Sequence, residues 1–480
     1  MEPKNPIADR HRNVNPASSD ADESVQTGAL PRIGRFSSRQ LLKFIVVNAI
    51  GINLLLVLAG GLLFHTFQQP SALRGVVASL IFHQADDSLR PMLYAVHSFE
   101  SNPKSPIYQS IFFEQHVKFQ YPLSSLLPVL GMERLGFGYG VLRWTSKIVC
   151  WLCTLATLWL CVRIATRLTR TDARIPQERR NTIYQALAVG GGGLFFYPLI
   201  RGNWLGQAQT VITLLFTVAF YAWLQGNEIW SGAALGLTVL IKPQYGLLLF
   251  WTLIRKKYSA FLSGTICVAI GTLASIAVFG WHQNLGYVSL LQFLSKHGES
   301  YSANQSMNGV LNRLLMNGSN LQWSNTEFPP YRPAVYYGTV LSSLLLLAAA
   351  LFLPCSRVRK GSVADLACFS LAVTMASPVA WEHHYAILLP MLIWLWFADY
   401  GLRDKGRWGL VFAVIWVVSA DYLSPADLFA PIPGLNILQS TLYLAALAVF
   451  ILLMKSDSRM QADTNGARES LSGSIPSTIQ

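Results

Sequence analysis

The sequence predicts an all-α protein that crosses a membrane about twelve times. Of its 480 residues, 52% are hydrophobic and only 13% are charged, which is about half the charged fraction of soluble domains. Apolar runs of roughly 20 residues, long enough to cross a bilayer, recur along the chain. Because no polar stretch is long enough to build a core of its own, we expect one polytopic domain over residues 38–455.

The positive charge of the chain follows from membrane orientation. The formal net charge is +13, but Lys and Arg cluster between apolar runs, as at Arg255-Lys-Lys257 and Arg403–Arg407. Such clusters are typical of cytoplasmic loops. We therefore predict no nucleic-acid partner, and we expect both termini to lie in the cytoplasm as disordered polar tails, residues 1–37 and 456–480.

Two long loops are predicted on the opposite, extracytoplasmic side. The first, residues 66–139, follows a predicted span at 41–65 and contains two amphipathic pieces near Ala72–Phe82 and Leu89–Phe99. We expect these pieces to form helices along the membrane surface. The second loop covers residues 281–333. Most of the polar residues that could take part in catalysis or ligand binding lie on this side, which favours a single external site.

The first outer loop carries an adjacent pair of carboxylates, Asp86 and Asp87. Loss of hydration near a bilayer can raise the pKa of one of them and suit it to act as a general base. A solvated turn or a helix cap explains the pair equally well when it is considered alone. The sequence does not distinguish which of the two would be the base.

A second polar cluster, Glu382-His-His384, joins two apolar helices at the outer face. Two imidazoles can donate hydrogen bonds to phosphate oxygens or bind a metal. The spacing is not that of a zinc protease, so we expect no metal. Histidines in apolar surroundings need polar partners, which favours a functional role for His383 and His384.

Two cations could bind an anionic ligand. Lys242 lies between two short apolar segments, 229–241 and 243–254, and a lysine within such a run requires an anion or a carboxylate. Short or broken helices at this depth also line cavities. Arg201 lies at an outer helix mouth, where an interfacial anchor is an equally good interpretation.

Amide side chains accompany these charges. Asn203 and Gln207 follow Arg201, and Asn304 and Gln305 lie in the second outer loop. Amides can hydrogen-bond to the hydroxyl groups of a sugar. For Asn304 and Gln305 an ordinary turn is the alternative.

In their order along roughly residues 80–400, these motifs resemble glycosyltransferase family 87, whose members are polyprenol-phosphate-dependent α-mannosyltransferases of the GT-C superfamily. The resemblance is carried by Lys118-Phe-Gln-Tyr-Pro-Leu-Ser-Ser-Leu-Leu127, Gly206-Gln207, Gly232–Gly236 followed by Ile241-Lys-Pro243, Asn304-Gln-Ser306 and Ser377-Pro-Val-Ala-Trp-Glu-His-His384. The chain departs from the family where Leu123 replaces a common second proline and where Glu382 replaces the usual Asp. Arg90 also stands where an acidic residue often precedes a tyrosine.

The resemblance implies a GT-C-type fold and a catalytic carboxylate on the first outer loop, here Asp86 or Asp87. We predict that His383, His384, Lys242 and Arg201 bind the donor phosphate. Substrate contacts are predicted for Tyr121, Asn203, Gln207, Asn304, Gln305 and Glu382. No metal or cofactor is expected.

The implied activity is inverting transfer of a hexose, mannose by resemblance, from a polyprenyl-phosphate sugar to a lipid-linked or glycan acceptor. The implied location is a bacterial inner membrane, among membrane lipids, with an extracytoplasmic active site. The alternative is a transporter or flippase of lipid-linked or anionic glycans, because broken helices and an intramembrane lysine fit that class as well. Polar groups concentrated on one side favour the enzyme.

Overall fold

The computed structural model describes residues 72–171, 185–353, 360–398, 405–420 and 428–456. The regular secondary structure of these residues is helical, and their one strand-like contact is an isolated antiparallel bridge between Asn304 and Trp381. The predicted all-α class is confirmed for this part of the chain. The predicted span at 41–65, the predicted tail at 1–37 and the predicted second tail after Ser456 lie outside the described residues.

The helices of the first half precede a break near Lys242. They are α1 (Ala72–Leu80), α2 (Leu89–Ser101), α3 (Leu127–Arg134), α4 (Tyr139–Thr171), α5 (Gly191–Leu194), α6 (Tyr197–Trp204), α7 (Gln209–Leu224) and α8 (Glu228–Val239). Shorter turns of π- or 3₁₀-helix are Gln109–Glu114, Leu123–Leu126 and Ala186–Gly190.

The second half begins with a 3₁₀ turn, Pro243–Tyr245. Its helices are α9 (Gly246–Ile254), α10 (Tyr258–Phe279), α11 (Trp281–His297), α12 (Met307–Leu314), α13 (Pro333–Phe352), α14 (Val363–Met375), α15 (Leu388–Ala398), α16 (Lys405–Ser419) and α17 (Thr441–Lys455). The 3₁₀ segments Glu382–Ile387, called the 382–387 turn below, and Leu435–Ser440 precede α15 and α17.

Both amphipathic pieces of the first outer loop form helices, α1 and α2. In α2 the buried side chains include Leu89, Leu93, Val96 and Phe99, a spacing of three or four residues that places them on one face. Tyr94 on the opposite side is 56% exposed. The period of the sequence therefore determines which face packs against the protein, while the position of these helices along a membrane surface stays a prediction.

Two apolar stretches of the chain are divided into shorter helices. α8 and α9 are separated at Lys242-Pro243, as the two short apolar segments predict, because proline cannot donate the backbone hydrogen bond that a continuous helix needs. The sequence also predicts a span near 183–200, whose described part divides into α5 and α6, and its crossing of a membrane stays a prediction. Pro198 lies in the first turn of α6, where proline favours the start of a helix.

Four described segments are long and apolar enough to cross a membrane: α4 over Tyr139–Arg170, α10, α13 and Leu435–Lys455. Only 11% and 17% of the apolar windows of α10 and α13 are buried within the protein. Helices that present apolar side chains outward in this way fit a lipid environment. The chain is thus consistent with a membrane protein, and the count of about twelve crossings stays a prediction.

The core is built around α14. All of its residues from Val363 to Met375 are buried, and the helix packs against α7, α9, α13 and α17. α15, buried from Leu388 to Leu395, extends this core to α4. Because both helices are enclosed, the 382–387 turn between them is fixed beside α6 and α7.

A buried ion pair joins α14 to the end of α9. Arg255 Nε donates to Asp365 Oδ2 at 2.7 Å, and the two side chains are only 4% and 0% exposed. The backbone N–H of Gly361 and the indole of Trp251 also donate to this carboxylate. The guanidinium donates a further bond to the carbonyl of Leu351.

Replacing Asp365 by Ala should therefore destabilise the fold strongly. The change leaves a buried guanidinium without its counter-charge, which costs about 3–5 kcal/mol. Thermal unfolding in detergent would measure it. As a matched control, Glu228→Ala removes the half-exposed Glu228–Lys257 pair, whose loss should cost no more than about 1 kcal/mol. Equal losses in the two variants would contradict the role given to the buried pair.

Candidate functional site

The loop that carries the two predicted aspartates, residues 81–88 and called the carboxylate loop below, is fixed against the end of α6. The N–H groups of Ala85 and Asp87 donate to the carbonyls of Trp204 and Leu205 at 2.8 and 3.0 Å. Gly206 has a φ of +66°, and a Cβ on it would lie 2.2 Å from the carbonyl oxygen of Ala85. Glycine is therefore required here both by conformation and by the close approach of the two backbones.

The side chain of Asn203 also holds the carboxylate loop in place. Its Oδ1 accepts a bond of 2.6 Å from Gln84 Nε2, and its Nδ2 donates to Thr154 Oγ1 at 2.9 Å. The side chain is completely buried. Although the sequence suggests a sugar contact for Asn203, its amide is engaged at both ends with protein groups and fixes the carboxylate loop to α4.

The two aspartates have different environments. Asp86 is buried, and its carboxylate accepts hydrogen bonds from Tyr139 OH at 3.0 Å and Arg143 Nε at 3.2 Å. Arg90 Nε lies 3.7 Å away. The carboxylate is therefore buried and bonded to groups at the start of α4, with Arg90 of α2 nearby, and it is less accessible to a substrate than Asp87.

Asp87 is exposed and receives a single side-chain hydrogen bond, from Gln207 Nε2 to Oδ2 at 3.4 Å. Although one side of the group is open, the surrounding protein removes part of its hydration and raises its pKa. The Arg201 guanidinium and the Gln207 bond act in the opposite direction and are smaller. Asp87 thus combines access to a substrate with an increased proton affinity.

Gln207 is oriented by a hydrogen-bond network. Its Oε1 accepts from Ser88 Oγ at 2.9 Å and from Tyr121 OH at 3.1 Å, so its NH₂ group points to Asp87. The N–H of Ala208 donates to Ser88 Oγ at 2.9 Å. Burial raises the pKa of Tyr121 to about 12, so its hydroxyl stays protonated at neutral pH. Tyr121 and Gln207 therefore position Asp87.

The 382–387 turn is held by the chain segment of Asn304 and Gln305. Gln305 N donates to the carbonyl of Ala380 at 2.7 Å, and Glu382 N donates to that of Ala303 at 3.1 Å. The side-chain oxygen of Asn304 accepts from Ala380 N at 2.8 Å. These bonds form the isolated bridge between Asn304 and Trp381, which fixes the position of the 382–387 turn.

The side-chain amides of these two residues are also engaged with backbone groups. Asn304 Nδ2 donates to the carbonyl of Glu299 at 2.8 Å. Gln305 Nε2 donates to the carbonyl of Gln439 at 2.7 Å, and its Oε1 accepts from Tyr443 N at 3.1 Å. Both residues are buried. Gln305 therefore connects the turn to α17, and the contacts of both side chains fit the alternative of an ordinary turn.

Lys242 and His384 lie in contact at the break between α8 and α9. Lys242 Nζ donates to Gln209 Oε1 at 2.8 Å and also contacts His384 Nε2. His384 Nδ1 accepts from the backbone N–H of Trp381 at 3.2 Å. The contact at Nε2 is a hydrogen bond whose direction depends on the tautomer of the imidazole. The two nitrogens lie side by side at the helix break, and an anion bound there can accept hydrogen bonds from both.

Arg201 lies between the two clusters. Its guanidinium is 3.9 Å from Glu382 Oε2, and its charge acts on the carboxylate of Asp87. A Cβ on the neighbouring Gly202 would be 3.6 Å from the Cβ of His383, so α6 packs directly on the turn. Through α6 the structure brings Asp87, Arg201 and the two histidines into one region.

Some participants were not apparent from the sequence. Ser88 and Gln209 complete the networks around Gln207 and Lys242. The only indication of Gln209 in the sequence is that a polar residue begins the apolar helix α7. The pairing of Asp86 with Arg143 connects residues far apart in sequence, and no local pattern indicates it.

The assembled groups suit transfer of a group from a phosphate. One open carboxylate can take a proton, and an ammonium, a guanidinium and an imidazole N–H can stabilise a phosphate. In the part of the chain that the structure describes, no three His, Cys, Asp or Glu side chains are grouped so as to hold a metal ion.

Comparison with known proteins agrees with this chemistry. The sequence profile described as glycosyltransferase family 87 matches residues 119–379, more than half of the chain. The polyprenol-phosphate-mannose-dependent α-(1-2)-phosphatidylinositol pentamannoside mannosyltransferase of Mycolicibacterium smegmatis is 24% identical over 281 residues, 58% of this chain and 60% of that protein. Its counterpart in Mycobacterium tuberculosis CDC 1551 is 25% identical over 282 residues, 58% of each chain.

A further relative, the polyprenol-phosphate-mannose-dependent α-(1-2)-phosphatidylinositol mannoside mannosyltransferase of Mycobacterium tuberculosis H37Rv, is 26% identical over 223 residues, 45% of this chain and 48% of that protein. The chain thus covers three fifths or less of the length of these relatives. No solved structure matches it. The profile covers Tyr121, Gln207 and Lys242 but not Asp87 or His384, so the roles of the last two depend on geometry.

Proposed function

Because the chain belongs to glycosyltransferase family 87, we propose that it transfers a hexose from a polyprenyl-phosphate sugar to a lipid-linked or glycan acceptor. The observation that carries this proposal is the placement of the open carboxylate of Asp87 in one region with Arg201, Lys242 and His384. The names of the relatives identify polyprenol-phosphate-mannose as their donor, which makes mannose the proposed sugar here.

Asp87 acts as the general base. Its carboxylate accepts the proton of the acceptor hydroxyl while the hydroxyl oxygen attacks the anomeric carbon of the donor. Gln207 holds the carboxylate by its NH₂ group at 3.4 Å and is itself fixed by Tyr121 and Ser88. Because burial raises the pKa of this carboxylate, it binds the proton more strongly than an ordinary aspartate does.

Lys242, His384 and Arg201 stabilise the leaving group. As the bond between the anomeric carbon and the phosphate oxygen breaks, its electron pair remains on that oxygen and increases the negative charge of the prenyl phosphate. Donors already held in place by Gln209 and Trp381 need no rearrangement to receive this charge, which lowers the barrier. Glu382 keeps Arg201 oriented across a gap of 3.9 Å.

Attack from the side opposite the phosphate inverts the configuration at the anomeric carbon. A β-linked donor would therefore give an α-linked product, in line with the α-(1-2) linkage in the names of the relatives. We assign the reaction to the extracytoplasmic side of a bacterial inner membrane, with both termini in the cytoplasm, on the charge pattern of the loops.

The test is a transfer assay with the purified full-length protein. Synthetic prenyl-phosphate mannose is the donor, phosphatidylinositol mannosides and other lipid-linked glycans are acceptors, and EDTA is present throughout. We expect a mannosylated product whose amount is unchanged by EDTA. Absence of transfer to every acceptor, together with movement of labelled donor across liposomes, would contradict the enzyme and favour a flippase.

A further inference from the structure

An aromatic cavity of about 270 Å³ lies beside the candidate site and has no part in the mechanism above. It is formed where the π-helical turn Gln109–Glu114, the end of α11 and the segment before α13 meet. Its walls include Phe112, Phe113, Phe293 and Phe328 together with His116 and His297. This set of residues is called the aromatic cavity below.

The walls of the aromatic cavity are rigid. The Phe293 ring lies 5.5 Å from that of Phe113 at 89° and 5.2 Å from that of Phe328 at 86°. Phe112 packs against Phe293 at 5.6 Å. Edge-to-face pairs of this kind fix the orientation of each ring, so the apolar wall has a defined shape before a ligand arrives.

Two histidines supply polar groups. His297 stacks on Phe293 with ring centroids 4.3 Å apart, and its Nδ1 donates to the carbonyl of Pro329 at 2.9 Å. A carbonyl can only accept, so Nε2 of the neutral ring is an acceptor open to a ligand. His116 has a φ of +56°, a left-handed conformation that is uncommon outside glycine and is concentrated at functional positions.

An ion pair closes the cavity on one side. Lys118 Nζ lies 3.0 Å from Glu299 Oε2, and the two side chains are only 10% and 7% exposed. The ammonium also lies 3.9 Å from the Trp323 ring centroid and 4.1 Å from that of Phe328. Burial lowers the pKa of Lys118 and raises that of Glu299, but their mutual attraction opposes both shifts. Lys118 thus holds the wall and is not available to a phosphate.

The cavity adjoins the candidate site through shared residues. Lys118 precedes Tyr121, the hydrogen-bond partner of Gln207, by three positions, which in extended chain is at most about 10 Å. On the other side, the Trp323 ring that covers Lys118 lies 5.0 Å from the ring of Trp381, next to Glu382. A ligand that extends from the reacting centre for one or two sugar units could therefore reach the cavity.

We infer that the aromatic cavity binds a hexopyranose ring of the acceptor glycan at a distance from the hydroxyl that is glycosylated. This inference rests on the proposed function and names a second subsite for its acceptor. Aromatic faces pack against the C–H faces of a sugar, while His116 and the free Nε2 of His297 can bind its hydroxyl groups.

Size and polarity select this occupant. The volume of about 270 Å³ is below the roughly 300–1,000 Å³ of sites for drug-sized ligands, which suits a single ring. A prenyl or acyl chain would leave Nε2 of His297 and the ring of His116 without a hydrogen-bond partner in the cavity, which is unfavourable. A phosphate would find Lys118 already paired with Glu299.

The test compares acceptors of different lengths. Phe293→Leu and His297→Gln should each raise KM about tenfold for lipid-linked acceptors with several mannoses, the loss expected when about 1.4 kcal/mol of binding is removed. KM for a one-mannose acceptor, KM for the donor and kcat should stay unchanged. Phe137→Leu and His282→Gln change exposed residues outside the cavity and should leave every constant unchanged.

Binding measured without turnover separates this inference from the proposed function. Saturation-transfer NMR with α-mannobiose and the full-length protein should show binding to the wild type and to both controls, and weaker binding to Phe293→Leu and His297→Gln. That result would support the subsite even if no transfer were detected. Equal binding by all variants would overturn the subsite, as would a loss that affects only prenyl-phosphate. Thermal unfolding checks that each variant is folded.

Discussion

Asp87→Asn should lower kcat by about 10²–10⁴-fold, the usual contribution of a general base. Asparagine preserves the shape of the side chain and can still contact Gln207, but it cannot accept the proton of the acceptor hydroxyl. Donor binding should be retained, because the proposed phosphate ligands are Lys242, His384 and Arg201 and not Asp87. Steady-state transfer assays and a separate measurement of donor binding would give the two quantities.

Asp86→Asn is the matched control. The neighbouring carboxylate is buried and bonded to Tyr139 and Arg143, so its loss should reduce thermal stability while turnover remains measurable. If turnover disappeared in Asp86→Asn and persisted in Asp87→Asn, the assignment of the base would be reversed. The sequence does not decide whether Asp86 or Asp87 is the base, and turnover of these two single variants decides it.

The pH profile provides a second readout of the same prediction. A base works in its deprotonated form, so kcat/KM should fall as the pH decreases through the pKa of Asp87. Because desolvation raises this pKa above 3.8, the loss should begin at a higher pH than for an ordinary aspartate. The residual activity of Asp87→Asn should lack this acidic limb. A profile that is identical in the two proteins would contradict the role of Asp87 as the base.

The sequence was informative where a local pattern determines the structure. The three- and four-residue spacing of apolar positions in α2 predicts its buried face. In the apolar stretch near 183–200, hydropathy alone does not report the interruption between α5 and α6. A hydropathy pattern therefore located the apolar segments better than it determined their continuity.

Long-range contacts explain what the sequence could not provide. Asp86 and Asp87 are equivalent by composition, and only the folded positions of Arg143 and Gln207 distinguish them. In the same way, Asn304 and Gln305 suggest sugar contacts as a motif, yet their amides are engaged with backbone groups. A motif thus identifies residues that belong to a site without separating those that contact a ligand from those that position them.

Lys242→Met should lower kcat by about 10²–10³-fold, similar to the loss of one preorganised donor at a developing negative charge. Methionine fills much of the same volume but supplies no charge to the phosphate as it leaves. The effect should be larger on kcat than on donor KM, because the charge on the leaving oxygen grows as the bond breaks. Lys242→Arg, which retains a cation with different geometry, should recover part of the rate.

Lys257→Met provides the matched control, since Lys257 pairs with Glu228 outside the candidate site. It should leave kcat unchanged. A double variant of Lys242→Met and His384→Gln tests the paired donors: if both act on the same phosphate, its loss of rate should be smaller than the product of the single losses. Independent, fully multiplicative losses would mean that the ammonium and the imidazole stabilise different charges. Wild-type kcat in Lys242→Met would remove the lysine from the mechanism and leave Arg201 and His384 to hold the leaving group.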